Sequence, residues 1–128
     1  MKRLPWFFYT VDFGFIAYWL ITAIGVIPAE YLYNDYKNPI LVAWNWSFFP
    51  IDIAVSVTGL YSMYLKKKGE AKWTSMAILS LALTSASGLM AISYWVIVRD
   101  FEWQWWLPNL FLLCYPVYFL RQFLQKEK

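Results

Sequence analysis

The chain has 128 residues, 61% of them hydrophobic and 15% charged, with a net charge of +3. A typical soluble domain is about 45–50% apolar and about 25% charged, so this composition points to lipid as the solvent. There is no histidine and one cysteine, Cys114, which excludes an intramolecular disulfide, a paired-cysteine redox centre, a histidine triad and a histidine zinc site.

The basic residues stand in short clusters between apolar runs and make no continuous basic face, which argues against nucleic acid as a partner. No cofactor or metal site is indicated.

Four apolar stretches run over residues 6–28, 39–65, 73–98 and 104–124. Each supplies the roughly 20 residues that a helix needs to cross about 30 Å of hydrocarbon. The pattern predicts an all-α integral membrane four-helix bundle, one domain over residues 1–128. Short connections favour antiparallel neighbours and an up-down-up-down order.

The first stretch follows Lys2 and Arg3, as a secretion signal would. Its length, its Asp12 and the lack of a small-residue cleavage site make it an uncleaved anchor. Asp12 lies on the N-terminal side of the middle of this stretch. It reads either as part of a site or as a cap on a helix starting near Phe13.

The second stretch holds the stronger signal. Asp52 stands midway between Pro39 and Leu65, just after Pro50, which lacks a backbone donor and frees a carbonyl near Trp46. Asn45, Asp52, Ser56 and Gly59 recur at helical spacing and share one face, which should turn inward. An ionisable residue inside a span is by default a functional-site candidate. The structural alternative is an aspartate hydrogen-bonded to a neighbouring helix. If Asp12 and Asp52 share a cavity, like charges favour one proton between them, as in a proton relay or cation exchanger.

In the third stretch Ser80, Thr84 and Gly88, flanked by Ala77, Ser87 and Ala91, make a small-residue stripe of the kind that lets helices approach closely. It reads as a packing face, with a hydroxyl-lined ligand wall as the alternative.

Connections and tails set the orientation. Lys2, Arg3, Lys66, Lys67, Lys68, Lys72, Arg121, Lys126 and Lys128 fall on one side, and Lys37 and Arg99 on the other. The positive-inside rule then puts both termini in the cytoplasm.

Aromatics, 23% of the chain, fall into two belts suited to the membrane interface. Trp6, Phe7, Tyr9, Tyr61, Tyr64 and Trp73 make the inner one. Tyr31, Tyr33, Trp44, Trp46, Tyr94, Trp95, Trp103, Trp105 and Trp106 make the outer one. A sharper reading makes the outer belt an aromatic cage above Asp52. Asn45-Trp46-Ser47 matches a glycosylation acceptor but sits inside an apolar run. Lys66, Lys67 and Lys68 suit anionic lipid, although their topological role already accounts for them.

The segment Asn45-Trp46-Ser47-Phe48-Phe49-Pro50-Ile51-Asp52-Ile53, the opening Leu4-Pro5-Trp6-Phe7-Phe8-Tyr9 and the four spans resemble the YvaD-like small membrane proteins of Bacillus-type bacteria over most of the chain. The resemblance implies a bacterial plasma-membrane address and brings no activity with it. The format also looks like small multidrug-resistance transporters. Those use a glutamate within a first-helix motif, whereas Asp12 stands here without that motif. The emopamil-binding sterol isomerase fold is another four-helix bundle, but its histidine has no counterpart. Both are analogies of format.

Three functions follow as expectations. The first is binding or transport of a small cationic or hydrophobic ligand around Asp52. Asp12 would stand nearby, Asn45 would orient the ligand, and Trp44 and Trp46 would form an apolar wall. The second is an accessory subunit that docks a partner through the stripe of Ser80, Thr84 and Gly88. The third is an intramembrane enzyme using Asp12 and Asp52 as an acid–base pair. The partners implied are membrane lipids and either a second copy, as a homodimer, or another membrane protein.

Overall fold

A computed structural model of the chain describes residues 3–24 and 38–126, apart from the Trp105 side chain. Among these residues four helices follow one another: α1 Leu4–Ile24, α2 Pro39–Lys67, α3 Trp73–Ile97 and α4 Trp103–Lys126. The end of the first expected span, together with Tyr31, Tyr33, Glu30, Asp35 and Lys37, lies outside the described residues. The helices α1, α2 and α3 are long and apolar enough to cross a membrane. The fourth is helical over its expected range but more polar, with Gln104, Asn109, Arg121, Gln122 and Gln125 in it.

Local chemistry explains the boundaries. α2 starts where the Asn38 side chain accepts the Ile40 N–H at 3.0 Å and Pro39 occupies the first helical position. It ends in a Schellman turn. Gly69 takes φ +75°, its N–H donates to the Lys66 carbonyl at 3.1 Å, and the Glu70 N–H donates to the Leu65 carbonyl at 3.0 Å. Lys66 and Lys67 in the last turn complement the helix dipole. α3 ends the same way with a less suitable residue: Arg99 takes φ 60° where glycine is favoured. The Arg99 N–H donates to the Val96 carbonyl at 3.1 Å, and the Asp100 N–H to the Trp95 carbonyl at 2.9 Å.

Consecutive helices pack on one another. The rings of Phe111, Tyr115 and Phe119 gather on Phe7 and join α4 to α1. One end of the bundle is a dry core of Leu4, Phe8, Val11, Met63, Ala77, Leu81, Tyr115, Phe119 and Phe123, with Phe7 and Trp73 packed against it. Three residues expected at the inner interface, Phe7, Tyr9 and Trp73, are therefore partly buried against the core. Trp95, expected at the outer interface, is buried as well. Tyr61, Tyr64, Trp6 and Trp103 remain exposed.

Beside this core, polar side chains are buried and large apolar ones exposed. Asp12, Asp52, Ser56, Ser62, Ser80, Thr84 and Ser87 are buried, while Leu20, Ile24, Ile40, Leu89, Ile97, Leu107 and Leu124 are exposed.

Candidate functional site

Asp52 stands at the meeting of three helices. Its Oδ2 accepts the indole N–H of Trp19 from α1 at 3.0 Å, and its Oδ1 accepts the Ser87 hydroxyl from α3 at 3.1 Å. Both oxygens are engaged as acceptors in this arrangement. Both donors are neutral. α1 and α3 contain no Lys or Arg, and the lysines of α2 lie in its last turn.

The face expected to turn inward does so: Asn45, Asp52, Ser56 and Gly59 are all buried. Pro50 precedes Asp52 inside α2 and leaves the Trp46 carbonyl without the ordinary helical donor.

Asn45 lies two turns before Asp52 and accepts the Tyr18 hydroxyl at 3.4 Å through Oδ1, while its Nδ2 is buried without a partner. The flanking tryptophans part around it. Trp44 stacks on Tyr94 at 4.3 Å and meets Trp95 edge-on at 5.4 Å. Trp46 leans on Trp19 at 5.0 Å, with Phe49 edge-on to Trp19 at 5.4 Å. Trp46, partly exposed, thus covers the indole that holds Asp52.

Asp12 lies deeper, in a layer to which the other helices contribute. Ser56 of α2 donates to its backbone carbonyl at 2.9 Å. Its carboxyl occupies the space that a side chain on Gly59 would need: an added Cβ there would overlap Oδ2, lie 2.8 Å from Cγ and lie 3.0 Å from Ser80 Oγ. Neither carboxyl oxygen of Asp12 has a hydrogen-bond partner. Asp12 and Asp52 therefore do not hydrogen-bond each other, which removes the direct contact that an acid–base pair would use.

The stripe on α3 packs within the chain. Ser80 donates to the Val55 carbonyl of α2 at 3.0 Å, and Thr84 donates to the Ser80 carbonyl at 2.7 Å. Gly88 lies against the backbone of α4: a Cβ there would be 2.7 Å from both the Asn109 oxygen and the Leu113 nitrogen. Ser85 adds a hydrogen bond to the Leu113 carbonyl at 3.0 Å. The surface on which a partner was expected to dock is thus covered by α2 and α4.

Sequence reasoning missed Trp19 as a partner of Asp52 and Gly59 as the seat of Asp12. A signal for Trp19 existed, because it follows Asp12 by two helical turns and shares its face. Nothing local announced that Gly59 and Asp12 meet. Among the described residues no group of three His, Cys, Asp or Glu side chains converges as a metal site would require.

Residues 4–128 match the model of a family described as one of unknown function, DUF5360. The chain is 46% identical over 128 residues, 100% of this chain and 96% of the relative, to the uncharacterized protein YvaD of Bacillus subtilis (strain 168). The resemblance carried by residues 45–53 and by the opening segment is thereby confirmed. No solved structure matches the chain.

Proposed function

The chain belongs to the DUF5360 family of unknown function, and from that premise we propose that it is a multi-pass cell-membrane protein that binds a small ligand bearing positive charge at Asp52. The helices run up-down-up-down with both termini in the cytoplasm, as the placement of basic residues favours. The burial of polar side chains and the exposure of large apolar ones support insertion, since lipid-facing side chains are apolar and polar ones turn inward.

One observation carries the ligand reading. Asp52 is buried and held as an acceptor by Trp19 and Ser87, and the helices that supply those donors contain no basic residue. Hydrogen bonds to a charged group are each worth about 1.5–3 kcal/mol. Two of them hold the carboxylate in place without cancelling its charge. A cationic ligand would complete the neutralisation, with the free Nδ2 of Asn45 donating to an acceptor atom on the ligand and Trp46 and Trp19 forming an aromatic wall. Because the chain itself covers the Ser80–Thr84–Gly88 stripe, a purely accessory role would need another face.

Native mass spectrometry of the full chain released from gentle detergent, wild type against Asp52→Asn, tests the reading. A small adduct present in the wild type and absent from the variant supports it and gives the ligand's mass. An adduct equal in both proteins, or a bare wild type, counts against it.

A further inference from the structure

A second carboxyl occupies the same interior with the opposite hydrogen-bond pattern. Asp12 is fully buried, and neither of its oxygens has a hydrogen-bond partner. Ser80 Oγ lies beside the slot that its carboxyl fills, but the hydroxyls of the neighbouring turns direct their protons elsewhere. Ser56 donates to the Asp12 backbone carbonyl, Ser80 to the Val55 carbonyl and Thr84 to the Ser80 carbonyl. Each hydroxyl has one proton, so these groups offer the layer only lone pairs. Tyr115 of α4 adds a buried hydroxyl that has no partner at full hydrogen-bond geometry and interacts with Thr84 as well as with the Asp12 carboxyl. A single phenol can donate to only one of the two carboxyl oxygens.

Among the described residues no lysine or arginine pairs with the Asp12 carboxyl either. Lys66, Lys67 and Lys68 are turned onto the rings of Trp73, Tyr9 and Tyr64, at 5.0, 5.8 and 4.6 Å. Gly59 holds the carboxyl in its slot, and the nearest polar atom beside that slot is Ser80 Oγ. A buried polar group left unsatisfied costs about 1–3 kcal/mol, and more when charged, so a positive charge at this carboxyl would be stabilising.

We infer that Asp12 is the seat of a single exchangeable positive charge, a proton or a dehydrated alkali cation, bound apart from the ligand at Asp52. The inference rests on the membrane-embedded reading above but not on a ligand at Asp52. One carboxyl balances one unit of charge. The acidic groups that a divalent ion takes are not assembled there among the described residues. The other titratable side chains of this interior are Tyr115 on α4 and Asp52, which precedes Ser56 by one turn of α2, about 6 Å along the axis. α3 presents only hydroxyls to the layer.

The test uses the full chain in lipid nanodiscs as wild type, Asp12→Asn and Asp52→Asn. Infrared spectra in H2O and D2O report a protonated, exchangeable carboxyl. Thermal midpoints in NaCl, LiCl, KCl and choline chloride at one pH report an alkali ion. The expected result is one of these two signals in the wild type and in Asp52→Asn, and its loss in Asp12→Asn. The infrared signal assigns a proton, and the salt-specific midpoint a metal ion.

An ionised Asp12 indifferent to the choice of cation, or a signal that survives in Asp12→Asn, overturns the inference. Should Asp12→Asn fail to fold, Asp52→Asn decides: retention of the signal supports Asp12, and its loss overturns the assignment. An Asp12 signal in a protein that shows no Asp52-dependent adduct would sink the ligand reading and leave this inference standing.

Discussion

Gly88 marks a close approach of α3 to α4, and alanine there should separate them. An added Cβ would lie 2.7 Å from the Asn109 oxygen, 2.7 Å from the Leu113 nitrogen and 3.1 Å from the Leu112 carbonyl carbon. Carbon atoms rest comfortably at about 3.5–4.0 Å, so one helix must withdraw by roughly 1 Å. All three neighbours are backbone atoms and cannot rotate aside. Overpacking of this kind costs about 1–3 kcal/mol, and the helix-propensity gain of Gly→Ala returns at most about 1 kcal/mol.

The chain contains its own control. A Cβ on Gly14 of α1 meets nothing within 4 Å, so Gly14→Ala should stabilise by roughly 0.5–1 kcal/mol. The same chemical change is thus expected to have opposite signs at two sites. Detergent-solubilised protein unfolded by heat, followed by tryptophan fluorescence, reads both. Gly88→Ala as stable as Gly14→Ala would refute the close packing of α3 on α4.

Three further outcomes are expected. Trp19→Phe keeps a ring but removes the donor to Asp52 Oδ2, and should destabilise by about 1–3 kcal/mol; unchanged unfolding of the purified variant would count against the pairing. Arg99→Gly relieves a non-glycine residue at φ 60° and should raise stability by roughly 1 kcal/mol, a gain that the same unfolding assay would detect. A reporter active only in the cytoplasm should work at either terminus. Replacing Lys66, Lys67, Lys68 and Lys72 with glutamine should mix the orientations, and a silent C-terminal fusion in the wild type would contradict the topology.

Much of the architecture was legible because its causes are local. Long apolar runs announced helices, and the spacing of Asn45, Asp52, Ser56 and Gly59 announced the face that turns inward. The aromatic belts were less legible. They were assigned from position along the helix axis, whereas burial depends on rotation about it. Trp95 lies in phase with Gly88 and Ala91 and is buried with them.

The partners of the carboxyls were hidden for a different reason. Trp19 reaches Asp52 across 33 positions, and Gly59 meets Asp12 only because α1, α2 and α3 converge there. Their spacing within each helix shows which side chains face inward but not which of them meet.

The most direct test of a cation site at Asp52 is a titration with tetraphenylphosphonium, a lipophilic cation, followed by tryptophan fluorescence. Trp19 donates to the carboxylate and Trp46 stands against Trp19, so occupancy should change the signal. The account predicts saturable quenching in the wild type. In Asp52→Asn it predicts affinity at least about tenfold weaker, a loss of about 1.4 kcal/mol. The same Kd in both proteins, or no saturable change in either, would contradict it.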